Sequence, residues 1–407
     1  MKRLLAFFSV FGLVIALAPA VNAALETTWR TDIVAASNDV ATGPGGAVYA
    51  VGRGPAGTVS WDRGRATVTR LTTAGDVVWS RAWQPHPERP RAFRTNAVAV
   101  AVGDNGVVYV VGTVQRFNCE GGGWFIRAYS PNGRLLHAAG TQRAWYCRPP
   151  GPQTVRDVAV RGDLVVVATA ATGCCGELAR VDGYLRGFTT GLRSLWRTNF
   201  EPPAPANAAW YDAADSVAIA RDGSVYAAGW AAIERSNGET TPAGALLIQK
   251  VRHGGTTLWA RRPGVPMGYD PAVSLALGSD RMIVGAQLRG GGTWLGQLTL
   301  TADPVWHRVW GAAAEIRARI GGVALDATGR IWMVGTRRDL TDNGINVFVR
   351  RHGPAGVLVG SLTIDQPARW VRGNAVATLG DAAFAVGTTY VPATGVLISG
   401  EVWRVQV

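Results

Sequence analysis

The stretch DSVAIARDGSVYAAG, Asp215–Gly229, decides the fold. Valine and isoleucine alternate with small residues through Ser216–Ala220, Arg221-Asp222-Gly223 supplies a tight turn, and Ser224–Gly229 is an aliphatic run ending on glycine. Such alternation suits a half-buried strand, and a turn between two such runs reads as a β-hairpin. The same phrase returns at Asn38–Gly52, Asn96–Gly112, Arg156–Ala170, Pro271–Ala286, Ile320–Gly335 and Asn374–Gly387. Repeats spaced by roughly fifty to sixty residues, each built of short strands, mean stacked or radially arranged sheets.

Blade one shows how the rest of each unit is filled. Asp39–Thr42 and Ala47–Gly52 flank a turn at Gly43–Gly46, Ala66–Leu71 makes a third strand, and Val77–Trp83 returns as the fourth after a turn at Thr72–Asp76. The expected fold is all-β: a single seven-bladed propeller of four antiparallel strands per blade, spanning residues 24–407, with blades starting near 38, 96, 156, 215, 271, 320 and 374. The last unit supplies three strands, Ala375–Leu379, Ala382–Gly387 and Leu397–Val405. Its fourth is found at the other end of the chain, where Thr28-Trp29-Arg30 matches Trp79-Ser80-Arg81 and Trp259-Ala260-Arg261. The N-terminal strand therefore closes the ring, which removes two exposed sheet edges.

The phrase D-x-V-x-x-x-x-x-G-x-V-Y-V-x-G, best preserved in Asp215–Gly229 and Asn96–Gly112, resembles the repeat of the SBBP-type bacterial β-propeller family. The resemblance covers nearly all of residues 24–407 and implies a seven-bladed propeller in an exported bacterial protein. It implies no catalytic motif, and blades three and five depart from it at Leu164–Ala170 and Arg281–Ala286.

Residues 1–23 read as a secretory signal: Lys2 and Arg3 lead an apolar run from Leu4 to Ala18, and Val21-Asn22-Ala23 offers small residues for cleavage. No later stretch is apolar enough to cross a bilayer, so an exported protein, periplasmic or extracellular, is expected, and a monomer. The net charge is +13, and apart from Lys2 and Lys250 every basic residue is arginine. Guanidinium groups bind carboxylate, sulfate and phosphate through two parallel hydrogen bonds, so anionic partners fit. There is no basic run, so nucleic acid is not expected.

In a four-stranded blade, the second-to-third loops and the blade connectors share one face. Here that face carries the long segments, while the opposite face has tight turns such as Asp222-Gly223 and Pro131–Gly133. The long segments interleave arginine with aromatics, and they supply the candidate binding residues Trp61, Arg63, Arg65, Arg91, Phe93, Arg94, Trp145, Tyr146, Trp210, Tyr211 and Trp230. Aromatic planes stack on sugar rings and arginines hold anions, so an acidic glycan or a protein is the expected partner. The four cysteines, Cys119, Cys147, Cys174 and Cys175, fall on the same face. An even count in an exported chain argues for disulfides, either Cys119–Cys147 with a vicinal Cys174–Cys175, or two bridges between the pairs. Neither pair has the two-residue spacing of a zinc hairpin, so no metal is expected.

Catalysis is a second reading. Asp62, Glu88, Glu120, Asp212, Glu234, Asp270 and Glu315 lie on the loaded face, and two of them meeting at the channel mouth would suit glycan hydrolysis or lyase chemistry. Asp39, Asp157 and Asp215 open inner strands at what read as repeated positions, which suits hydrogen bonding in the channel. Gly75–Trp79, Gly191–Trp196 and Gly255–Trp259 approach the Gly-x-x-x-Trp motif of quinone-cofactor dehydrogenases, but tryptophans sealing blade to blade explain them, and no cofactor is expected. If the cysteines are fully paired, alkylation of the denatured, unreduced protein adds no mass; any alkylated cysteine overturns the pairing.

Overall fold

Seven separate antiparallel sheets form in the computed structural model, which describes residues 24–33, 36–54, 64–85, 93–116, 122–140, 153–172, 181–202, 210–233, 244–267, 271–311, 316–339, 344–366, 369–392 and 397–406. In blades one to six the strands pair in chain order. The first strands of the seven blades are Ala36–Gly43, Phe93–Val102, Gln153–Arg161, Trp210–Ile219, Val273–Leu277, Ile316–Leu325 and Trp370–Leu379. Each touches the first strand of the next blade, and the last touches the first, so they ring a central channel. This is the expected seven-bladed propeller. Blade four adds a short fifth strand, Pro266–Met267, on the start of its third. Among the described residues the helical content is one turn, Pro44–Gly46, and no helix is long and apolar enough to cross a membrane.

Closure runs as the tryptophan match foretells. Glu26–Ile33 pairs antiparallel with Leu397–Gln406 as the outermost strand of blade seven. A charged network fixes it. Glu401 is fully buried, accepts hydrogen bonds from Gln366 Nε2 at 2.8 and 2.6 Å and from Thr389 Oγ1 at 2.5 Å, and meets Arg30 Nε at 3.2 Å. A buried carboxylate is tolerable only with such partners.

The repeated phrase has a steric cause. In six blades the first strand bulges: between Ser37 and Asp39, Ala97 and Ala99, Val155 and Asp157, Ala214 and Ser216, Ile320 and Gly322, and Gly373 and Ala375. The bulge drives a carbonyl onto the second strand. A β-carbon at Gly52, Gly112 or Gly229 would collide with the carbonyl oxygen of Ala36, Asn96 or Ala213. In those blades glycine at the end of the aliphatic run lets the two backbones meet; blade three keeps the bulge with Thr169 at that place.

A second recurring contact joins blades at their outer edge. Trp29, Trp79 and Trp196, on fourth strands, donate Nε1–H to Thr73, Pro131 and His253 carbonyls of the next blade at 2.8, 2.9 and 2.8 Å. Their rings cover Gly75, Gly133 and Gly255, and Trp306 covers Gly356 in the same way. These glycines have φ between 76° and 95°. The tryptophans therefore seal blade against blade, and the drift at Gly191–Trp196 disappears. The true counterpart there is Leu192, whose amide closes the same turn on Thr189 and whose φ is 63°. Ala302 (φ 65°) fills that place in blade five.

Gly255→Ala tests this joint. Its β-carbon would stand 2.6 Å from Cγ of Trp196 at φ 90°, combining left-handed strain with overpacking. The expected loss is about 2–4 kcal/mol of stability in urea; an unchanged midpoint would rule out the docking as a structural joint.

Candidate functional site

An inner strand is covered on both faces by neighbouring blades and on one edge by its own second strand. A side chain there reaches solvent only through the channel or its mouths. Inner strands begin at the loop-rich face, because the blade connectors feed them. Near those beginnings Arg94 in blade two, Arg317 and Arg319 in blade six, and Arg372 in blade seven are exposed, while Thr95, Ala318 and Val371 between or beside them are buried. None of the four makes an ion pair with a described carboxylate. The Arg372 guanidinium lies 5.1 Å from the Tyr390 ring centre. Among the described residues, the inner-strand ends at the loop-rich mouth thus carry exposed arginines.

One layer deeper the inner strands carry carboxyls in place of arginines. Asp39 and Asp157 occupy the same bulge position of blades one and three, opposite Val51 and Ala168 of their second strands. Ala99 takes that place in blade two between them and leaves room. Asp39 Oδ2 accepts the Val100 amide at 2.8 Å, and Asp157 Oδ2 accepts the Val217 amide at 2.8 Å and the Ser216 hydroxyl at 3.0 Å. Ser216 and Ser274 continue the joint, accepting the Leu275 and Val323 amides at 3.2 and 3.0 Å. The Asp39 carboxyl is pushed up to about 7, first by burial and then by the charge of Asp157. Burial raises Asp157 to about 6 against the pull of its amide and hydroxyl donors. Two like charges across one gap titrate as a pair.

Asp215 is not the third member of this set. It stands one residue earlier, in the bulge itself, where Arg156 is its counterpart in blade three; the two meet at 3.9 Å. Spacing by chain position had aligned it with Asp39 and Asp157, and the bulge shifts the register by one.

Of the candidate binding residues, Arg65 is exposed where the blade-one loop closes, its carbonyl accepting the Gly54 amide at 2.8 Å, and Arg94 is at the mouth. Trp210 and Tyr211 open the inner strand of blade four. Phe93 and Trp230 are buried, at 6% and 1% exposure, in the apolar layers between blades one and two and between four and five. Both are core residues and not part of an open surface. Trp61, Arg63, Arg91, Trp145, Tyr146 and all four cysteines lie outside the described residues. So do Asp62, Glu88, Glu120, Glu234, Asp270 and Glu315. Asp212 is described and nearly buried. Its Oδ1 accepts the Gly183 amide at 2.5 Å, and burial, aided by the charges of Asp182 and Glu201, pushes it up to about 8. Arg317, Arg319 and Arg372 escape a search for long loops because they lie inside strands. The signal that finds them is alternation, charged residues at every second place of Arg317-Ala318-Arg319-Ile320. Among the described residues no three metal-ligating side chains converge.

No family model matches the chain, and no curated protein matches it. Solved structures do. The polysaccharide lyase Uly1 is 9% identical with a TM-score of 0.52, over 96% of this chain and 91% of that one. A Hadza microbial sialidase, Hz136, is 13% identical with a TM-score of 0.47, over 91% of this chain and 65% of its own length. A Trypanosoma rangeli sialidase in complex with sialic acid is 12% identical with a TM-score of 0.48, over 90% and 59%. The chain thus spans less than two thirds of either sialidase. At these identities the likeness is one of fold alone.

The buried carboxyls make stability depend on pH in a definite direction. Their folded-state values of about 7, 6 and 8 lie above the unfolded value of about 4 for aspartate. Folding therefore favours the protonated forms. Stability falls as pH rises from about 5 to 8, by on the order of a few kcal/mol. Thermal melting across that range should show the decline, and Asp39→Asn should flatten it; a midpoint rising through this range would contradict it.

Proposed function

We propose that the protein is an exported, monomeric propeller, related to the SBBP-type repeat proteins, that takes an acidic polysaccharide on its loop-rich face. The observation that supports this best is the polarity of the frame. Every connection long enough to vary lies on one face, and the inner strands of blades two, six and seven open onto that face with exposed arginines that pair with no described carboxylate. Rigid sheets carrying variable loops around a charged opening are built for recognition. One solved structure of similar fold and similar length is a polysaccharide lyase, and a glycan ligand is consistent with that.

The test is equilibrium binding of the protein to polygalacturonate, dextran sulfate and neutral dextran at several salt concentrations. Binding to the charged polymers that weakens steeply with salt, without binding to neutral dextran, is expected. Equal binding to all three, or to none at low salt, would remove the reading.

Cleavage of the bound glycan is a second reading, favoured by Asp39 and Asp157. Two coupled carboxyls that retain protons toward neutral pH can divide the roles of acid and base. New reducing ends, or the absorbance of a new double bond, should then appear on incubation and be lost in Asp157→Asn. Absence of both products leaves a binding protein.

A further inference from the structure

The reading above leaves open where on the face the anion sits. We propose that its seat is the channel mouth, where Arg319, Arg372 and Arg94 hold one oxyanion-bearing sugar unit, carboxylated or sulfated, of an acidic glycan. This inference rests on the proposed recognition of an acidic polysaccharide.

Three features of the inner strands carry it. First, strand register makes the mouth two-sided. Arg319 and Arg372 stand two residues before the bulge in blades six and seven, and Asn96 holds that place in blade two, with Arg94 one pleat above. The same place in blades one, three and four is taken by Ala36, Thr154 and Ala213. Arginine thus stands at this place in the adjacent blades six and seven, and small side chains take it in blades three and four across the ring. Second, Arg94 and Arg319 are left to solvent and Arg372, beside the Tyr390 ring, stays exposed, whereas other arginines of the fold are committed. Arg127 lies over the Trp83 ring at 4.7 Å and bonds Tyr129 Oη at 2.9 Å, Arg350 lies over Trp310 at 3.6 Å, and Arg156 meets Asp215. Third, the cationic side chains stop at the mouth: one layer deeper the inner strands present Asp39 and Asp157, already committed to amides of the next blade, which offer an anion no cation. Guanidinium forks match the two oxygens of a carboxylate or a sulfate, and both belong to the same chemistry.

The experiment compares three proteins: the unaltered chain, the mouth variant Arg319→Gln/Arg372→Gln, and a control, Arg134→Gln/Arg193→Gln, which removes the same charge from exposed turns of the opposite face. Each is titrated with oligogalacturonate and with sulfated dextran, after thermal melting confirms folding. The proposal expects at least tenfold weaker binding in the mouth variant and near-unchanged binding in the control. Which probe binds more tightly distinguishes carboxylate from sulfate. If the unaltered chain binds and the mouth variant binds equally well, this seat is wrong while acidic-glycan recognition stands. If the unaltered chain binds neither probe, the recognition reading itself falls. Should the double variant fail to fold, Arg94→Gln provides the same comparison from blade two, and equal binding there overturns the seat.

Discussion

The pairing of Glu26–Ile33 with Leu397–Gln406 is the constraint on which the rest depends. A propeller blade cannot bury its own faces. It is stable because a neighbour covers each side, and an open ring would leave two faces and two edges in water. Joining the first strand to the last costs closure entropy over nearly the whole chain, a cost that grows only slowly with length. The Glu401 network offsets it locally. With Arg30 on one strand and Glu401, Thr389 and Gln366 on the other side of the joint, a misplaced N-terminal strand would strand a buried carboxylate without its cation.

Within the closed ring, blades are held at two radii by different chemistry. At the outer edge tryptophan rings cover turn glycines, and the indole N–H bonds the turn beneath it. At the inner edge short polar side chains of one blade accept amides of the next, as Asp39, Asp157, Ser216 and Ser274 do. The apolar layers between blades, rich in Val, Ala and Leu, have no direction of their own. The polar joints fix how far each blade rotates against its neighbour, because a hydrogen bond tolerates little displacement. Using carboxyls for two of these joints gives the channel an acidic layer.

That layer and the arginines above it form one electrostatic arrangement. The joint residues must be small and polar to reach the adjacent amide, whereas the residues nearer the mouth have no such duty. Arginine can stand there without disturbing the ring. The frame and the opening are thereby separable, and substitutions at the mouth leave the blade contacts intact.

The sequence by itself determined the architecture: seven hairpin phrases, a displaced fourth strand marked by Thr28-Trp29-Arg30, and tryptophans suited to sealing blades. These are local or repeated patterns, and repetition makes them legible because each blade solves the same packing problem. The sequence placed Arg94, which is exposed, on the loop-rich face together with Phe93 and Trp230, which are buried, since an aromatic at a strand end looks alike whether it turns inward or outward. It aligned Asp215 with Asp39 and Asp157 because a bulge adds a residue without leaving a mark in composition. Tertiary structure alone brought Arg319 and Arg372 to the same mouth as Arg94, and set Asp39 within electrostatic reach of Asp157. Those pairs come from different blades, and which side chains share a channel is settled by ring closure, a relation between segments that no single stretch of chain contains.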